Sequence, residues 1–300
     1  MFDLLRASGV TVETERLLWL RHLVRKDRTI PRVLTNLPGG FVVRRRGRGL
    51  EVDDIRVFAH GDDMRHLDRA TTARTGVPHV RTFRDERERN ILILTDFRPS
   101  MLWGTKRVFR SVAASEMAAL AGWRAIELGG RVGLLAFGSA DPVVVPARGR
   151  DRGMLAVIGG IASAHAHALQ DPNCTDPPLS QAMELAARIA PKGASVLIMS
   201  SFENLGDDFE VMLGALQRRA TVSAFILCDA FETAAPKGSY PYVKDGTTVE
   251  IGHIVTNKRT ASDDRLSYLD RLGIDAALTQ TASGPEGFVS ILEAFDANIH

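Results

Sequence analysis

Residues 91–101 read ILILTDFRPSM, and this segment is the strongest indication of the fold in the sequence. Its first half is a short run of apolar residues, typical of a strand buried on both faces of a sheet. Its second half begins with the carboxylate of Asp96 and brings the hydroxyl of Ser100 four residues later. Ligands bind at the carboxyl ends of the strands in open α/β sheets. The stretch therefore predicts both a central strand and a candidate binding site.

Downstream of this strand, apolar strands alternate with longer helical segments, which predicts a mostly parallel sheet covered on both faces. The run Val143–Val145 before Pro146 is too short for a central strand and predicts an edge strand. Further strands are predicted near residues 131–137, 196–199, 221–227 and 275–279. Helices are predicted near residues 106–128, 152–169, 179–189, 205–218 and 264–272, with a last one opened by Pro285.

Two regions depart from this alternation. We expect residues 1–90 to form an N-terminal extension packed on a main domain of residues 91–300. The extension contains a predicted amphipathic helix near residues 13–24 and extended segments near 40–43 and 51–58. Residues 229–256 are interrupted by Pro and Gly and predict a projecting β-hairpin, with Asp245-Gly246 as its turn.

Composition bounds the class of protein. The net charge is +2 over 300 residues, so no overall field indicates a nucleic acid or membrane partner. Cys174 and Cys228 are the only cysteines, too few for a disulfide framework or a cysteine zinc site. The start of the chain lacks the features of a signal peptide, and no apolar run approaches the roughly 20 residues that a membrane helix needs. We therefore predict a cytoplasmic protein without a membrane span.

A second motif precedes the strand and carries a family resemblance. It consists of Gly61, Asp62, Asp63, Arg65, Asp68 and Arg74. Together with the Asp96 loop, Arg131–Phe137 and Asp229–Glu232, it closely resembles the bacterial domain-of-unknown-function family 58, a group of von Willebrand factor A-like proteins. The resemblance implies a doubly wound α/β fold whose six-stranded, mostly parallel sheet has one antiparallel edge strand. It also implies a protein-binding domain rather than an enzyme, acting with a MoxR-type AAA+ ATPase as an adaptor or chaperone component.

The resemblance further implies a metal-ion-dependent adhesion site, built on an Asp-x-Ser-x-Ser motif, in which this chain is altered. Asp96 and Ser100 match the first and last positions, whereas Arg98 stands in place of the first serine. Thr175 matches a threonine ligand on the neighbouring loop. Ser201 stands where an aspartate usually ends the next strand.

Both changes weaken a cation site. A guanidinium has five N–H donors and no lone pair for a metal, and the loss of an aspartate removes attraction. Arg98 can instead reach Asp96 and form a charge-assisted pair. We therefore expect a degenerate site that is either empty or filled by arginine. Glu203 or Asp207 could compensate if Arg98 turned outward; weak Mg²⁺ binding would then use Asp96, Ser100 and Thr175.

Other signals have mainly structural interpretations. We expect the Gly61–Arg74 motif to form a buried or half-buried network that ties the extension to the core. His165 and His167 lie two residues apart on a predicted helix, so they face different directions and do not form a helical zinc site. No nucleophile-elbow, P-loop or dinucleotide-binding motif is present.

The function hypotheses differ in class. The leading one is a non-enzymatic adaptor that binds proteins and needs no cofactor. The alternative is a divalent-cation-dependent binding module with a rearranged ligand set. A nucleic-acid-associated protein that uses Arg44–Arg48 is a further alternative, although the acidic Glu51, Asp53 and Asp54 follow those arginines directly.

Overall fold

The computed structural model describes residues 9–26, 52–59, 62–83, 90–171, 175–244, 248–255 and 263–298. Contacts divide the chain into two compact units. One comprises residues 1–39 and 89–300, and the other residues 40–88. The N-terminal helices, within residues 14–26, thus belong to the same unit as the main sheet. The predicted boundary at residue 90 had instead grouped them with residues 40–88.

The smaller unit is a strand pair with a short helix. Strands β1 (Val52–Val57) and β2 (His79–Phe83) pair antiparallel, with helix α3 (Arg69–Thr75) between them in sequence. Asp68 begins α3 because its carboxylate accepts a hydrogen bond from the backbone N–H of Thr71 at 2.7 Å. Gly76 ends the helix in the left-handed conformation, φ 72°.

The larger unit is built on a sheet of six strands: β3 (Asn90–Asp96), β4 (Arg131–Phe137), β5 (Val143–Gly149), β6 (Ser195–Ser200), β7 (Thr221–Cys228) and β10 (Asp275–Gln280). Their spatial order is β10-β7-β6-β3-β4-β5. All pairings are parallel except that of β5, which lies antiparallel at the edge beside β4. This confirms the predicted fold class.

Helices cover both faces of this sheet. The remaining helices are α1 (Thr14–Trp19), α2 (Arg21–Lys26), α4 (Arg110–Glu127), α5 (Arg150–Gln170), α6 (Leu179–Ile189), α7 (Phe209–Gln217), α8 (Ala230–Ala234), α9 (Asp264–Arg271) and α10 (Gly284–Asn298). One core layer joins the sheet to α1, α4, α5 and α10, and the other joins it to α6, α7 and α9. Alternate residues of β3 divide between the layers, because successive strand side chains point to opposite faces.

The N-terminal helices extend the first layer. Leu17 and Leu20 are fully buried, and the indole N–H of Trp123 on α4 donates to the carbonyl of Leu17 at 3.0 Å. The expected single helix near residues 13–24 is therefore two short helices that pack on α4. Deep burial of α4, in which nearly every residue lacks solvent exposure, makes it the central helix of the unit.

Several boundaries differ from the predicted ones. The edge strand β5 runs through Pro146 as far as Gly149, because an edge strand tolerates a residue without an N–H donor. Helix α7 begins at Phe209 rather than near residue 205. Residues 204 and 205 are used instead to cap α6, since their carbonyl groups accept from the N–H groups of Leu179 and Ser180.

The predicted hairpin is present. Strands β8 (Gly238–Lys244) and β9 (Thr248–Ile254) pair antiparallel and form a two-stranded sheet of their own. The Asp245-Gly246 turn and the extended segment near residues 40–43 lie outside the described residues.

Candidate functional site

Asp96 lies at the carboxyl end of the central strand β3. Its side chain is completely buried. Because β3 and β6 are parallel and Thr95 is in register with Met199, the residue that lies beside Asp96 on the next strand is Ser200. The hydroxyl of Ser200 donates to Oδ2 of Asp96 at 2.6 Å and accepts from the backbone N–H of Phe202 at 3.0 Å.

The guanidinium of Arg98 is the cationic partner of Asp96. Nε lies 3.0 Å from Oδ1 and Nη2 lies 2.9 Å from Oδ2, so the two groups meet as a bidentate pair. The backbone N–H of Arg98 also donates to Oδ1 at 3.0 Å. The arginine side chain has no solvent exposure.

The remaining donors of Arg98 reach two other loops. Nη1 donates to the carbonyl oxygens of Pro177 at 2.8 Å and Asn204 at 3.0 Å, and Nη2 donates to that of Glu203 at 2.9 Å. With Asp96, these acceptors account for all five N–H donors that a guanidinium has. The side chain of Arg98 therefore holds together the loops that follow β3, α5 and β6.

Electrostatics favour the charged arginine. Burial would lower the pKa of Arg98, but the negative charge of Asp96, assisted by Asp176, outweighs burial and raises that pKa above its usual value. Asp176 Oδ2 lies 3.5 Å from Nη1. The guanidinium of Arg98 therefore stays positively charged, and it lies where the family resemblance implies a divalent metal.

These residues do not fit a metal ion. Both oxygens of Asp96 already accept from arginine, and a guanidinium cannot coordinate a cation. Mg²⁺ also demands near-octahedral oxygen coordination, which needs more than the free hydroxyl of Ser100. Within the described part of the chain, no group of three or more His, Cys, Asp and Glu side chains is arranged to hold a metal.

The structure brings some of the predicted site residues together. Ser100 lies beside the loop that carries Thr175, because its backbone N–H donates to Oδ1 of Asp176 at 3.0 Å. Thr175 itself is exposed.

Ser201 does not take the expected position beside Asp96, which belongs to Ser200. Its hydroxyl is buried and finds no hydrogen-bond partner among the described residues, and its carbonyl accepts from Arg265 at 2.8 Å. The register of β6 with β3 decides between the two serines.

The expected compensating carboxylates are also placed differently. The carboxylate of Glu203 accepts from Nη1 of Arg110 at 3.0 Å instead of joining Asp96. Asp207 is exposed. Because Arg98 points inward, the site needs no further negative charge from either residue.

Sequence reasoning missed a second set of charges at this edge of the sheet. The buried Arg110 contacts both Glu203 and Glu232, at 3.0 and 2.6 Å, and its guanidinium stacks over Trp103 at 4.2 Å. Arg265 continues the set by pairing with Glu232 at 3.1 Å and Asp263 at 2.7 Å. The pairs of Arg110 with Glu203 and Glu232, and of Arg265 with Glu232, join distant parts of the chain and have no local signal in the sequence. Arg265 and Asp263, by contrast, are only two residues apart.

Asp229, at the carboxyl end of β7, is a second buried carboxylate. It accepts from the backbone N–H groups of Thr105 and Phe231, both at 2.9 Å, and from the hydroxyls of Thr105 and Thr281. Burial would raise the pKa of Asp229, but the hydrogen bonds from Thr105 and the other donors lower it below its usual value. The Asp229-x-x-Glu232 capping box was the signal that could have revealed it.

The motif of the smaller unit has local roles. Asp62 accepts a bidentate pair from Arg56, with both distances 2.8 Å, and Asp63 accepts from the N–H of Arg65. Asp68 caps α3, as described above. Asp63, Arg65 and Arg74 are exposed, Arg65 at 89% and Asp63 at 51% of the side chain, so the expectation of a buried or half-buried network is wrong for these three residues.

Gly61 and the basic cluster Arg44–Arg48 lie outside the described residues.

The structure is a doubly wound α/β domain with a buried charged pair at the carboxyl end of its central strand. The chain belongs to the family described as protein of unknown function DUF58, whose model matches residues 54–268. It is 35% identical over 102 residues to uncharacterized proteins of Mycobacterium bovis and Mycobacterium tuberculosis, which covers 34% of this chain. The match spans about a third of the length of those relatives, 32%.

Solved structures with a similar fold include BatB from Bacteroides thetaiotaomicron and a von Willebrand factor type A protein from Catenulispora acidiphila. BatB is 13% identical with a TM-score of 0.43, and the match covers 70% of this chain and 99% of BatB. The Catenulispora protein is 13% identical with a TM-score of 0.41, covering 74% of this chain and 44% of that one. Within the described residues, every helix is too short or too polar to cross a membrane.

Proposed function

We propose that this protein is a non-enzymatic adaptor that binds another protein at the carboxyl edge of its sheet without a divalent cation. The observation that carries the proposal is the full engagement of Arg98. Its guanidinium contacts Asp96, Pro177, Glu203 and Asn204, which lie on three separate loops. In a cation-dependent site, a bound metal would connect such loops. Here the chain supplies the positive charge itself.

The consequence is a surface that is ordered before a partner arrives. The loops held by Arg98 present exposed groups, among them Thr175, Asn204 and Asp207. A surface that is already rigid loses less conformational entropy on binding than one that must be ordered by metal or partner. This supports a docking role, and the buried, fully bonded state of Asp96 and Arg98 argues against their use as catalytic groups.

We propose a MoxR-type AAA+ ATPase as the partner and the cytoplasm as the place where the two meet. The choice of partner rests on the family resemblance of the Asp96 loop and the Gly61–Arg74 motif. The choice of compartment rests on the low cysteine content.

A binding assay with the purified MoxR-type ATPase of the same host tests the proposal. We expect binding in the presence of Mg²⁺ and ATP. In two nucleotide-free arms, one with Mg²⁺ and one with EDTA, we expect equal binding. Thr175→Arg places a bulky charge on the proposed surface and should weaken binding at least tenfold. Lys192→Glu is the matched control, since Lys192 is exposed at the opposite end of β6 and should leave binding unchanged.

The outcomes separate the hypotheses. Loss of binding in EDTA without nucleotide would support the cation-dependent module instead. Failure of the ATPase to bind under any condition would overturn the choice of partner. Equal effects of Thr175→Arg and Lys192→Glu would overturn the choice of surface. A thermal-shift titration adds an independent readout, in which we expect Mg²⁺ to leave the melting temperature of the wild-type protein unchanged.

A further inference from the structure

The hairpin of β8 and β9 is an isolated two-stranded sheet. Within the part of the chain that the structure describes, neither strand pairs with a third. Two strands alone are marginally stable in water, whereas three or more strands with an apolar face are stable. The hairpin is therefore an incomplete sheet.

Its two faces differ in character. Tyr240 on one face packs edge-on against Phe231 of α8, with ring centroids 4.8 Å apart, and its hydroxyl donates to the carbonyl of Pro236. Val249 and Ile251 point to the other face and are 66% and 62% exposed. Val255 continues the same alternation beyond the end of β9, and it is 75% exposed. One side of the hairpin is thus anchored, and the other presents apolar side chains to solvent.

The two edges differ as well. Pro241 lies opposite Ile251 in the ladder and has no N–H to donate. Proline is tolerated within a strand when its nitrogen faces the open edge, so the outer edge of β8 lacks a donor. By the alternation of antiparallel pairs, the backbone groups of Val249, Ile251 and His253 then face outward from β9. That edge of β9 carries no proline or lysine to prevent pairing.

We propose that the edge of β9 pairs antiparallel with β9 of a second copy of this chain, so that two hairpins form one four-stranded sheet. The twofold axis passes beside Ile251, which places each Ile251 opposite the other. Apolar branched side chains opposite one another stabilise a sheet. A twofold pairing is also closed and self-complementary, as in most homo-oligomers.

Charge disfavours one alternative register of this pairing. Glu250 is the only Asp, Glu, Lys or Arg residue of β9. Centring the pair on Ile251 sets Glu250 opposite Gly252 of the second copy, and Val249 opposite His253. Centring it on Glu250 would place two like charges opposite each other, which is destabilising. A second copy therefore meets this edge without electrostatic repulsion in the Ile251-centred register.

Sedimentation equilibrium of the full chain tests the pairing. We expect the wild type to have twice the protomer mass. Ile251→Pro removes the outward N–H while leaving the bonds between β8 and β9, and Ile251→Lys places two positive charges opposite each other. Both variants should be monomeric. Val211→Lys, at an equally exposed valine on α7, is the control and should remain dimeric.

A cross-linking experiment tests the register and does not depend on the stability of those variants. In a Cys174→Ser background, Ile251→Cys should form an intermolecular disulfide under mild oxidation, because opposed Cα atoms lie about 5.5 Å apart. Val249→Cys should not, since it faces residue 253 of the second copy. The native Cys228 does not interfere, because burial raises the pKa of its thiol to about 12.

A monomeric wild-type protein would overturn the proposal, and so would a dimer that survives both Ile251 substitutions. Cross-linking at residue 249 but not at 251 would overturn the register.

Discussion

Two buried aspartates end parallel strands of the same sheet, and the protein stabilises them in different ways. Asp96 at the end of β3 is paired with the guanidinium of Arg98. Among the described residues, Asp229 at the end of β7 accepts only from neutral N–H and hydroxyl groups. Neither side chain has solvent exposure. A buried carboxylate therefore does not require a cation, provided that enough donors surround it.

The difference shows what Arg98 adds beyond satisfying Asp96. Hydroxyl and amide donors would have been sufficient for the carboxylate, as they are at Asp229. The arginine has further donors, which reach the carbonyls of Pro177, Glu203 and Asn204. Its distinctive effect is thus to fix the neighbouring loops, which is why we place the docking surface there rather than around Asp229.

The largest expected effect is on stability, from the loss of Arg98. Arg98→Met leaves Asp96 as an unpaired buried charge and should lower the free energy of unfolding by about 3–5 kcal/mol, measured by urea denaturation. Asp96→Asn combined with Arg98→Met should cost less than the sum of the two single changes, because the pair is coupled. Arg188→Met removes an exposed arginine of α6 and is the control, expected near the wild-type value. A loss below about 1 kcal/mol for Arg98→Met would contradict the view that Asp96, unlike Asp229, depends on a cationic partner.

The comparison of buried titratable groups extends to His165, whose pKa is shifted by burial alone. His165 contacts the hydroxyl of Ser111 at 3.0 Å, and burial lowers its pKa from 6.5 to about 4. The unfolded chain therefore binds a proton between pH 6.5 and 4 that the folded protein does not, so stability falls as the pH is lowered through this window. The upper limit of this loss is about 3 kcal/mol.

His165→Gln keeps a hydrogen-bonding side chain but does not titrate, so the stability of this variant should depend less on pH between 6.5 and 4. His167→Gln, at an exposed position on the same helix, should retain the wild-type slope. Denaturation at a series of pH values measures both, and identical slopes for the two variants would contradict the assignment.

Asp229→Asn tests the carboxylate that has only neutral donors. The amide keeps the size of the side chain but turns one acceptor into a donor that faces other donors, so we expect a loss of about 1–3 kcal/mol in the free energy of unfolding. Because the folded pKa of Asp229 is lowered, its contribution is present above its unfolded pKa near 4 and is lost as the pH falls further. The variant should therefore lose less stability than the wild type on acidification below about pH 4. An unchanged acid slope would show that Asp229 is not the group responsible.

The smallest effect distinguishes two adjacent serines. Ser200→Ala removes the hydroxyl that donates to Asp96 and accepts from Phe202, and should cost about 1–2 kcal/mol. Ser201→Ala removes a buried hydroxyl that has no partner within the described residues, and should be neutral or slightly stabilising. The reverse order in thermal denaturation would restore the sequence-based assignment of Ser201 to the site.

The amino-acid sequence alone predicts the layers of the fold and the position of the Asp96–Arg98 pair. The apolar run of residues 91–95, the alternation that follows it and the antiparallel edge at Val143–Val145 are local patterns, and local patterns reflect burial on a sheet directly. The same is true of Asp96 and Arg98, which are two residues apart and therefore within reach of each other.

The distant groups that complete the site are visible only in the folded structure. Ser200 rather than Ser201 contacts Asp96 because parallel pairing sets the register of β6 against β3, and a shift of one residue turns a side chain to the other face. The carbonyls of Pro177 and Asn204 carry no side-chain signal at all, and Arg110 meets Glu203 and Glu232 across about a hundred residues of chain or more. Such contacts depend on where the strand ends are brought together in space, which the spacing of residues along the chain does not encode.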